Sequence, residues 1–365
     1  MTIGIIFQVC ANPMDYLLFW AFSEEDKAWA LDMDSSGTLF LSKEYVVGYD
    51  YQRTRAAPNG QLVLITSFSD PFLSCFFINK DRSIDNPIYK HDIKNTHLNY
   101  IHIVYNPWIP VAYIGTFPTM VKYNVDYPRK NISITTDTVI LDEISSNMGF
   151  SKYANCLVVN ALECAKGVRT IHVLSDGSFS TSSFVLDLGS AGTNSDLSVS
   201  PDGRWVVVTG MSMPNITVLK IHKDGTLSIV QQKSILMNIV ETHFTHNGRL
   251  LIMLIDSFPY YIYSFSVNQE TGELAIVDQV GPYNNPGLYS ARPSGISPDG
   301  KYLLYSSFGP TPYNYYEVFR IEENGKLIWL KDKGTYIYYT RMSGNIEFVP
   351  PWREGYAPTL GWLAH

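Results

Sequence analysis

Short apolar runs alternate with polar turns along the chain, and this alternation repeats at long range. Residues 198–210 read SVSPDGRWVVVTG and residues 295–307 read GISPDGKYLLYSS, so one Pro-Asp-Gly turn precedes two runs of β-branched and aromatic residues. Such side chains pack well on a pleated surface, and Pro, Asp and Gly each favour turns. The pattern predicts a strand, a tight turn and a second strand at both places.

The same turn recurs in weaker forms along the whole sequence. Its seven anchor positions are residues 12–13, 58–60, 106–107, 152, 201–203, 246–248 and 298–300. The spacing of about 45 to 52 residues is that of a four-stranded propeller blade. A β-sandwich, the other all-β fold considered, gives no reason for such a period.

A second turn runs in phase with the first, about 20 residues after each anchor. Five of the seven units carry a glycine between two apolar runs there, at Gly37, Gly177, Gly225, Gly272 and Gly325. Tight hairpins need a residue with positive φ, which glycine adopts without steric cost. The second and third units use Asp, Asn and Pro instead. Each unit therefore reads as four strands.

These signals predict an all-β fold, a seven-bladed β-propeller of four-stranded antiparallel blades in a single domain over residues 1–365. The predicted blades span about 1–46, 47–95, 96–142, 143–190, 191–236, 237–283 and 284–335, followed by a closing strand and tail over 336–365. The segment GNIEFVPP near the C-terminus reads as an inner strand that pairs with the first blade and closes the ring. Whether IGIIF or NIEFV is the innermost strand there stays open.

The composition of the chain argues against several classes of binding partner. The net charge of −7 is spread along the chain and no Lys/Arg cluster occurs, which argues against a nucleic-acid partner. No apolar run approaches the roughly 18 residues of a membrane span, so no membrane partner is expected. The N-terminus lacks the basic stretch of a signal peptide, which favours the cytoplasm by default. The Asn-X-Ser/Thr sequons at Asn131 and Asn215 keep a secretory route open.

The four cysteines show no metal-binding spacing. Cys156 and Cys164 either pair across a hairpin or are free buried thiols. No sequence motif for a metal, nucleotide or other cofactor occurs, and the prediction is a protein that works without one. Oligomeric state is left open.

The blade units resemble those of a known group. SPDGRWVVVTG with NITVLKIHKDGTLSIV, and PSGISPDGKYLLYSS with YEVFRIEENGKLIWL, are similar to lactonase-type seven-bladed propellers, a family that includes 6-phosphogluconolactonases and carboxy-muconate cyclases. The resemblance covers about residues 195 to 330. It implies an active site of His, Glu and Arg near the starts of the innermost strands. Arg292 has the spacing to its turn glycine, Gly300, that the resemblance assigns to a catalytic arginine.

Polar residues also interrupt the predicted inner strands, which ring a channel and can therefore bring distant residues together. Glu241 and His243 are candidate general bases, and Arg292 with Arg53 are candidates to bind a carboxylate or an oxyanion. The remaining polar candidates for substrate binding are Arg55, His102, Lys152 and Asp196. The alternative is that these charges pair with one another in a wet channel and have only a structural role.

Aromatic residues in predicted loops form the second candidate set. Trp108, Phe258, Tyr283 and Tyr289 can line a pocket for an apolar, oxygenated small molecule, or simply stiffen the loops. The functional prediction is a cofactor-independent enzyme at the channel mouth, lactonase- or cyclase-like, acting on a rather hydrophobic metabolite of secondary metabolism. The alternative is a non-catalytic propeller that binds partners across one face.

Overall fold

A computed structural model describes residues 16–21, 27–46, 51–67, 73–90, 102–116, 119–140, 145–161, 167–188, 194–210, 216–235, 239–255, 260–283, 291–308, 313–331, 333, 335–338 and 346–354. These residues form 29 strands in seven antiparallel sheets. Within the described ranges, no helix has the length and apolar character needed to cross a membrane.

The first three sheets, taken from the channel outwards, contain four strands each. Blade 1 consists of β29 (Ile346–Val349), β1 (Tyr16–Ala21), β2 (Lys27–Met33) and β3 (Leu39–Val46). Blade 2 consists of β4 (Tyr51–Ala56), β5 (Leu62–Ser67), β6 (Leu73–Phe77) and β7 (Ile88–Lys90). Blade 3 consists of β8 (His102–Tyr105), β9 (Val111–Thr116), β10 (Thr119–Asp126) and β11 (Asn131–Ile140).

The other four sheets continue the same order. Blade 4 consists of β12 (Ser145–Ser151), β13 (Cys156–Ala161), β14 (Val168–Val173) and β15 (Phe179–Leu186). Blade 5 consists of β16 (Asn194–Val199), β17 (Trp205–Gly210), β18 (Ile216–Ile221) and β19 (Leu227–Lys233). Blade 6 consists of β20 (Ile239–Phe244), β21 (Leu250–Ile255), β22 (Tyr260–Val267) and β23 (Leu274–Tyr283). Blade 7 consists of β24 (Ala291–Ile296), β25 (Tyr302–Phe308), β26 (Tyr313–Ile321) and β27 (Leu327–Trp329), with β28 (Thr335–Tyr338) also paired to β26.

The innermost strands of the seven sheets contact one another in a closed ring, in the order β29, β4, β8, β12, β16, β20, β24 and back to β29. The predicted seven-bladed β-propeller is therefore confirmed. The C-terminal strand β29 is the inner strand of blade 1, where it pairs with β1 through Trp20↔Ile346 to Leu17↔Val349. This pairing places the first and the last described strands of the chain side by side in one sheet.

The core is divided among the seams between blades. Seven clusters of buried apolar side chains occur, and each lies between two neighbouring blades. Blades 6 and 7, for example, bury Leu254 and Ile262 against Leu303 and Phe319. Because both faces of the middle strands are covered, their sequences are continuously apolar rather than alternating.

The five hairpin glycines have the predicted conformation, with φ between 77° and 88°. At Gly272 the need for glycine is also spatial, because a Cβ atom there would lie 2.4 Å from the ring of Trp205 in blade 5. In blades 2 and 3 the left-handed position is taken by Arg82 and Lys130, with φ of 67° and 47°. These two turns therefore keep the geometry without glycine, at some conformational cost.

The Pro-Asp-Gly turns have a local structural role. The amide of Gly203 donates to the carbonyl of Ser200 at 2.8 Å. Asp202 accepts hydrogen bonds from the Ser200 hydroxyl and the Arg204 amide. The carboxylate thus satisfies the turn that it belongs to. Elsewhere in the core, Cys156 is a free buried thiol whose pKa burial raises to about 12; Cys164 lies outside the described residues.

Candidate functional site

The inner strands bring polar side chains from all seven blades to the wall of the central channel. Within β20, Glu241 and His243 are two residues apart and therefore lie on one side of the strand. Both reach the neighbouring inner strand β24 at Ser294. Glu241 Oε2 accepts a hydrogen bond from the Ser294 amide at 3.0 Å and from its hydroxyl at 2.7 Å.

His243 completes this cluster. Its Nε2 atom lies 2.8 Å from Ser294 Oγ and 3.4 Å from Glu241 Oε1. Because the serine hydroxyl donates to Glu241, its oxygen accepts from His243. The three residues do not form a nucleophilic triad, since the carboxylate and the serine both meet the same ring nitrogen. Ser294 is 1% exposed, which suits a positioning role rather than a nucleophile.

Electrostatic interactions favour the charged forms of both Glu241 and His243, so the two side chains form an ion pair. Burial alone raises the pKa of Glu241, but the charge of His243 and the hydrogen bonds from His243 and Ser294 outweigh it and bring the pKa to about 2. Burial by itself would lower the pKa of His243. The negative charge of Glu241 and its hydrogen bond with the imidazole have the larger effect, so the pKa of His243 is raised. The side chains remain 14% and 20% exposed, so solvent reaches both in the channel.

A second ion pair joins blades 1 and 2. Arg55 Nη1 donates to Glu347 Oε2 at 3.0 Å, and the amide of Ala56 donates to Glu347 Oε1 at 3.3 Å. The two charged side chains are 31% and 21% exposed. Burial raises the pKa of Glu347, and Arg55 opposes that shift only in part. Glu347 comes from the C-terminal strand, so the closing segment contributes to the channel wall.

A third group joins blades 4, 5 and 6. Asp196 Oδ2 accepts from the amide and the hydroxyl of Thr242, at 2.7 and 2.8 Å. The side-chain amide of Asn147 donates to Asp196 Oδ1 and to the carbonyl of Leu197. All of these polar groups are buried.

His102 lies on β8 and is 3% exposed. Burial first, and then the charges of Arg53 and Arg55, hold the pKa of His102 well below its usual range. A hydrogen bond with Asn147 opposes this shift. His102 is therefore a neutral imidazole at physiological pH, whereas His243 is a candidate cation.

The three channel carboxylates share one geometry. Glu347, Asp196 and Glu241 each accept the backbone amide of an inner strand in the next blade. Each one thus links two blades as well as carrying charge. Because Asp196 is buried and bonded on both oxygens, the partly exposed Glu241–His243 and Arg55–Glu347 pairs are the parts of the ring best suited to meet a ligand.

Two predicted binding residues lie away from this ring. Lys152 follows the end of β12, where Asp202 of blade 5 is the charge that acts on it. Trp108 lies in the turn between β8 and β9 and is 43% exposed. Both follow the inner strand instead of belonging to it, so the turn carries them past the end of the channel wall.

The remaining predictions fall partly or wholly outside the described part of the chain. Arg292 is a residue of β24, two positions before Ser294, and Tyr283 is the last residue of β23. The side chains of both lie outside the described residues, as do Phe258 and Tyr289 altogether.

Four residues of the site escaped sequence reasoning: Asn147, Thr242, Ser294 and Glu347. Asn147 precedes Ser151 by four residues, as Asp196 precedes Ser200 and Glu241 precedes Thr245, so the fixed spacing to the turn would have found it. Ser294 and Thr242 carry no such signal. Among the described residues, no group of three or more His, Cys, Asp or Glu side chains is arranged to hold a metal ion.

No protein-family model matches the sequence, and no curated protein is significantly similar to it. Solved structures are similar in fold. A protein of Bacteroides uniformis with a provisional 6-phosphogluconolactonase assignment has a TM-score of 0.71 at 15% identity, over 92% of this chain and 100% of that one. Its counterpart from Bacteroides fragilis has a TM-score of 0.71 at 13% identity, over 93% and 100%.

The periplasmic gluconolactonase of Pseudomonas aeruginosa is also similar, with a TM-score of 0.69 at 13% identity over 92% of this chain and 99% of that one. These structures cover nearly the whole chain, so the similarity concerns the complete ring rather than a few blades. The resemblance seen in the blade sequences is therefore confirmed at the level of architecture. The chain has the fold of the lactonase-like seven-bladed β-propellers.

Proposed function

We propose that this protein is a lactonase-like enzyme that opens, or in reverse forms, an oxygen-containing ring of a small metabolite in its central channel. The observation that carries the proposal is the Glu241–His243 ion pair, fixed on Ser294 and still open to solvent. The folds of a gluconolactonase and of two provisional 6-phosphogluconolactonases support the same class of reaction.

In this mechanism His243 is the proton-transfer group. A water molecule adds to the lactone carbonyl, the ring C–O bond breaks, and the leaving oxygen takes a proton from the His243 imidazolium. The added water passes its own proton to the neutral imidazole, which restores the imidazolium of the starting state. Glu241, with a pKa of about 2, is a weak base and acts by keeping His243 charged and oriented.

The arginines are proposed to bind the carbonyl oxygen and the carboxylate that ring opening produces. Arg55 contacts Glu347 through one nitrogen, and its guanidinium carries further N–H donors. Arg53 is close enough to influence the pKa of both Glu241 and His102. Acid–base chemistry of this kind requires no cofactor.

The balance of charge favours a substrate without phosphate. Arg55 is paired with Glu347 and His243 with Glu241, so these cations are already matched by carboxylates. A dianionic phosphate group would have to displace one of them. We therefore infer an oxygenated, largely uncharged ring compound of the kind made in secondary metabolism, and include ring-forming cycloisomerisation in the proposal.

The test is a screen of neutral aliphatic and aromatic lactones, 6-phosphogluconolactone and the matching hydroxy acids, with products followed by mass spectrometry. For any substrate found, His243→Gln should reduce kcat/KM by about a hundredfold or more, because a positioned acid contributes that much. His222→Gln is the matched control, since His222 lies in a turn of blade 5 and its ring bonds Ser228 in its own hairpin. Full activity in His243→Gln would disprove the role given to this residue.

A further inference from the structure

Glu317 is a buried carboxyl group that the proposed reaction does not use. It lies on β26 of blade 7, is 4% exposed, and its Oε2 atom has no hydrogen-bond partner among the described residues. Leaving such a group unpaired in the interior is costly, because the carboxyl loses its hydration without replacement. A buried, unsatisfied acid therefore requires a physical explanation.

Its position connects it with the channel. Glu317 on β26 pairs directly with Tyr305 on β25, and Tyr305 in turn pairs with Ser294 on β24. Tyr305 packs in the seam between blades 6 and 7, and Ser294 bonds Glu241 and His243 across the same seam. Glu317, Tyr305 and Ser294 therefore form one row of paired residues across the strands of blade 7, and this row ends at the candidate active site.

The surroundings of Glu317 are apolar. Blade 6 presents Leu254 and Ile262 to this seam, and blade 7 presents Leu303 and Phe319. The titratable groups that the described residues place along the seam include Tyr305 on β25, Glu241 and His243 on β20, and Asp278 on β23, which accepts from the Leu327 amide. His246 of blade 6 and Asp299 of blade 7 lie in the turns at one end of the seam. None of them offsets the burial of Glu317, which alone raises its pKa to about 7.

We propose that Glu317 is a pH-sensitive switch in the seam between blades 6 and 7. While the carboxyl is neutral, the seam stays closed and Ser294 holds the Glu241–His243 pair. When the carboxyl ionises, the unpaired charge draws water into the seam, and the row through Tyr305 transmits the loosening to Ser294. The device is independent of which reaction the channel catalyses.

The direction of the pH effect follows from linkage. A carboxyl whose folded pKa lies above its unfolded value binds more protons in the native state, so its ionisation favours unfolding. Its effect is absent below the unfolded pKa and grows as pH rises through about 7. Across that range the unfolding constant should rise by about two orders of magnitude on account of this one group.

The experiment compares wild type with Glu317→Gln from pH 5 to pH 8.5, using urea unfolding and amide hydrogen exchange. Glu323→Gln is the matched control, because Glu323 is an exposed glutamate of the same blade. The expected result is that wild type and Glu323→Gln lose stability relative to Glu317→Gln between pH 5 and about pH 7, and that the difference then stays constant at higher pH. Over the same pH range, amide hydrogen exchange at Ser294 and Tyr305 should accelerate in wild type and in Glu323→Gln. The acceleration should exceed the rise in intrinsic exchange rate that Glu317→Gln shows.

Two results would overturn the proposal. If the stability of wild type and of Glu317→Gln changes in parallel with pH, the carboxyl has an ordinary pKa in the folded protein and is not a switch. If stability diverges but exchange at Ser294 does not, the seam is not coupled to the channel. Should Glu317→Gln fold poorly, Glu317→Leu serves instead, since only the slope with pH is compared.

Discussion

The carboxylates of the turns and the carboxylates of the channel show how differently one residue type is used in this ring. Asp202 and Asp299 bond to the serine two residues before them and to the amide two residues after them, and Asp299 also accepts from the Tyr16 hydroxyl of blade 1 at 2.6 Å. Glu347, Asp196 and Glu241 instead bond to residues 46 to 291 positions away, in the next blade. The backbone bonds of the turn acids lie within one blade, whereas the backbone bonds of the channel acids tie blades together.

This difference explains why the repeated motif is a poor guide to function. A residue that serves its own turn is needed in every blade and therefore recurs. A residue that bonds across a seam must match the chemistry of its partner, and that partner differs from blade to blade. Arg53, His102, Asn147, Asp196 and Glu241 occupy the same position before their turns and are five different residue types.

The largest effect should come from opening the ring. A chain that ends at residue 345 lacks β29, and with it the buried Ile346, Phe348 and Val349. At about 2 kcal/mol for each side chain, roughly 6 kcal/mol of burial is lost, which is comparable with the whole stability of many domains. Circular dichroism should show no cooperative thermal transition.

A chain that ends at Glu354 keeps β29 and is the control for this truncation. It should unfold cooperatively, like the full chain. If the shorter truncation at residue 345 also kept a cooperative transition near that of the full chain, closure by β29 would be dispensable. The links across the blades would then matter less than the blade interiors.

The next effect is the pH dependence of the Glu241–His243 link. The folded pKa of Glu241, about 2, lies below its unfolded value near 4.5, so its contribution is present above pH 4.5 and is lost as pH falls towards 2. The raised pKa of His243 gives a contribution that is complete below about pH 6.5 and is lost at higher pH. The pair therefore stabilises most between about pH 4.5 and 6.5, by up to about 3 kcal/mol.

Urea unfolding of wild type and His243→Gln over pH 3 to 8 measures this contribution. The difference between the two curves should be greatest inside that window and should shrink on both sides. Taking the difference cancels other titrating groups, including Glu317. A difference that stays constant with pH would mean that the two side chains are not an ion pair in solution.

The smallest predicted effects come from comparing the loss of one channel carboxylate, Glu347, with the loss of one turn carboxylate, Asp202. Glu347→Ala leaves Arg55 without its carboxylate and the Ala56 amide without an acceptor. Because the pair is partly exposed, the expected loss is about 2 kcal/mol, below that of a fully buried pair. Asp202→Ala removes local bonds of one turn and should cost about 1 kcal/mol.

Thermal unfolding of both variants makes the comparison, with Glu347→Gln as a further control that keeps an acceptor but no charge. A double-mutant cycle with Arg55→Ala isolates the pair itself. Equal losses in Glu347→Ala and Asp202→Ala would contradict the distinction between acids that link blades and acids that serve one turn.

Much of the architecture was predictable because it depends on local rules. The period of the turns predicted seven blades, and the glycine positions predicted five left-handed hairpin residues, all of which are found. The C-terminal segment was recognised as a closing strand from its apolar pattern. Which terminus supplies the innermost strand stayed open, since both segments are apolar and only pairing distinguishes them; β29 holds the inner position.

The site was predictable in part. Placing polar residues on inner strands identified Arg53, Arg55, His102, Asp196, Glu241 and His243, all of which interact in the channel. Lys152 and Trp108 were included because the strand ends were not sharply defined by sequence, and both lie beyond them. Nothing in the sequence marked Ser294, because a serine in a strand becomes a hydrogen-bond partner only when Glu241 of another blade reaches it.

The sequence by itself therefore determined the number of strands, their turns and the ring that they form, because period, turn chemistry and apolar patterning act within a few residues. The tertiary structure alone decided which polar residues meet. Residues such as Arg55 and Glu347 are 292 positions apart and become neighbours only when the ring closes. Their charges and the pKa values that follow depend on burial and distance, which no local pattern encodes.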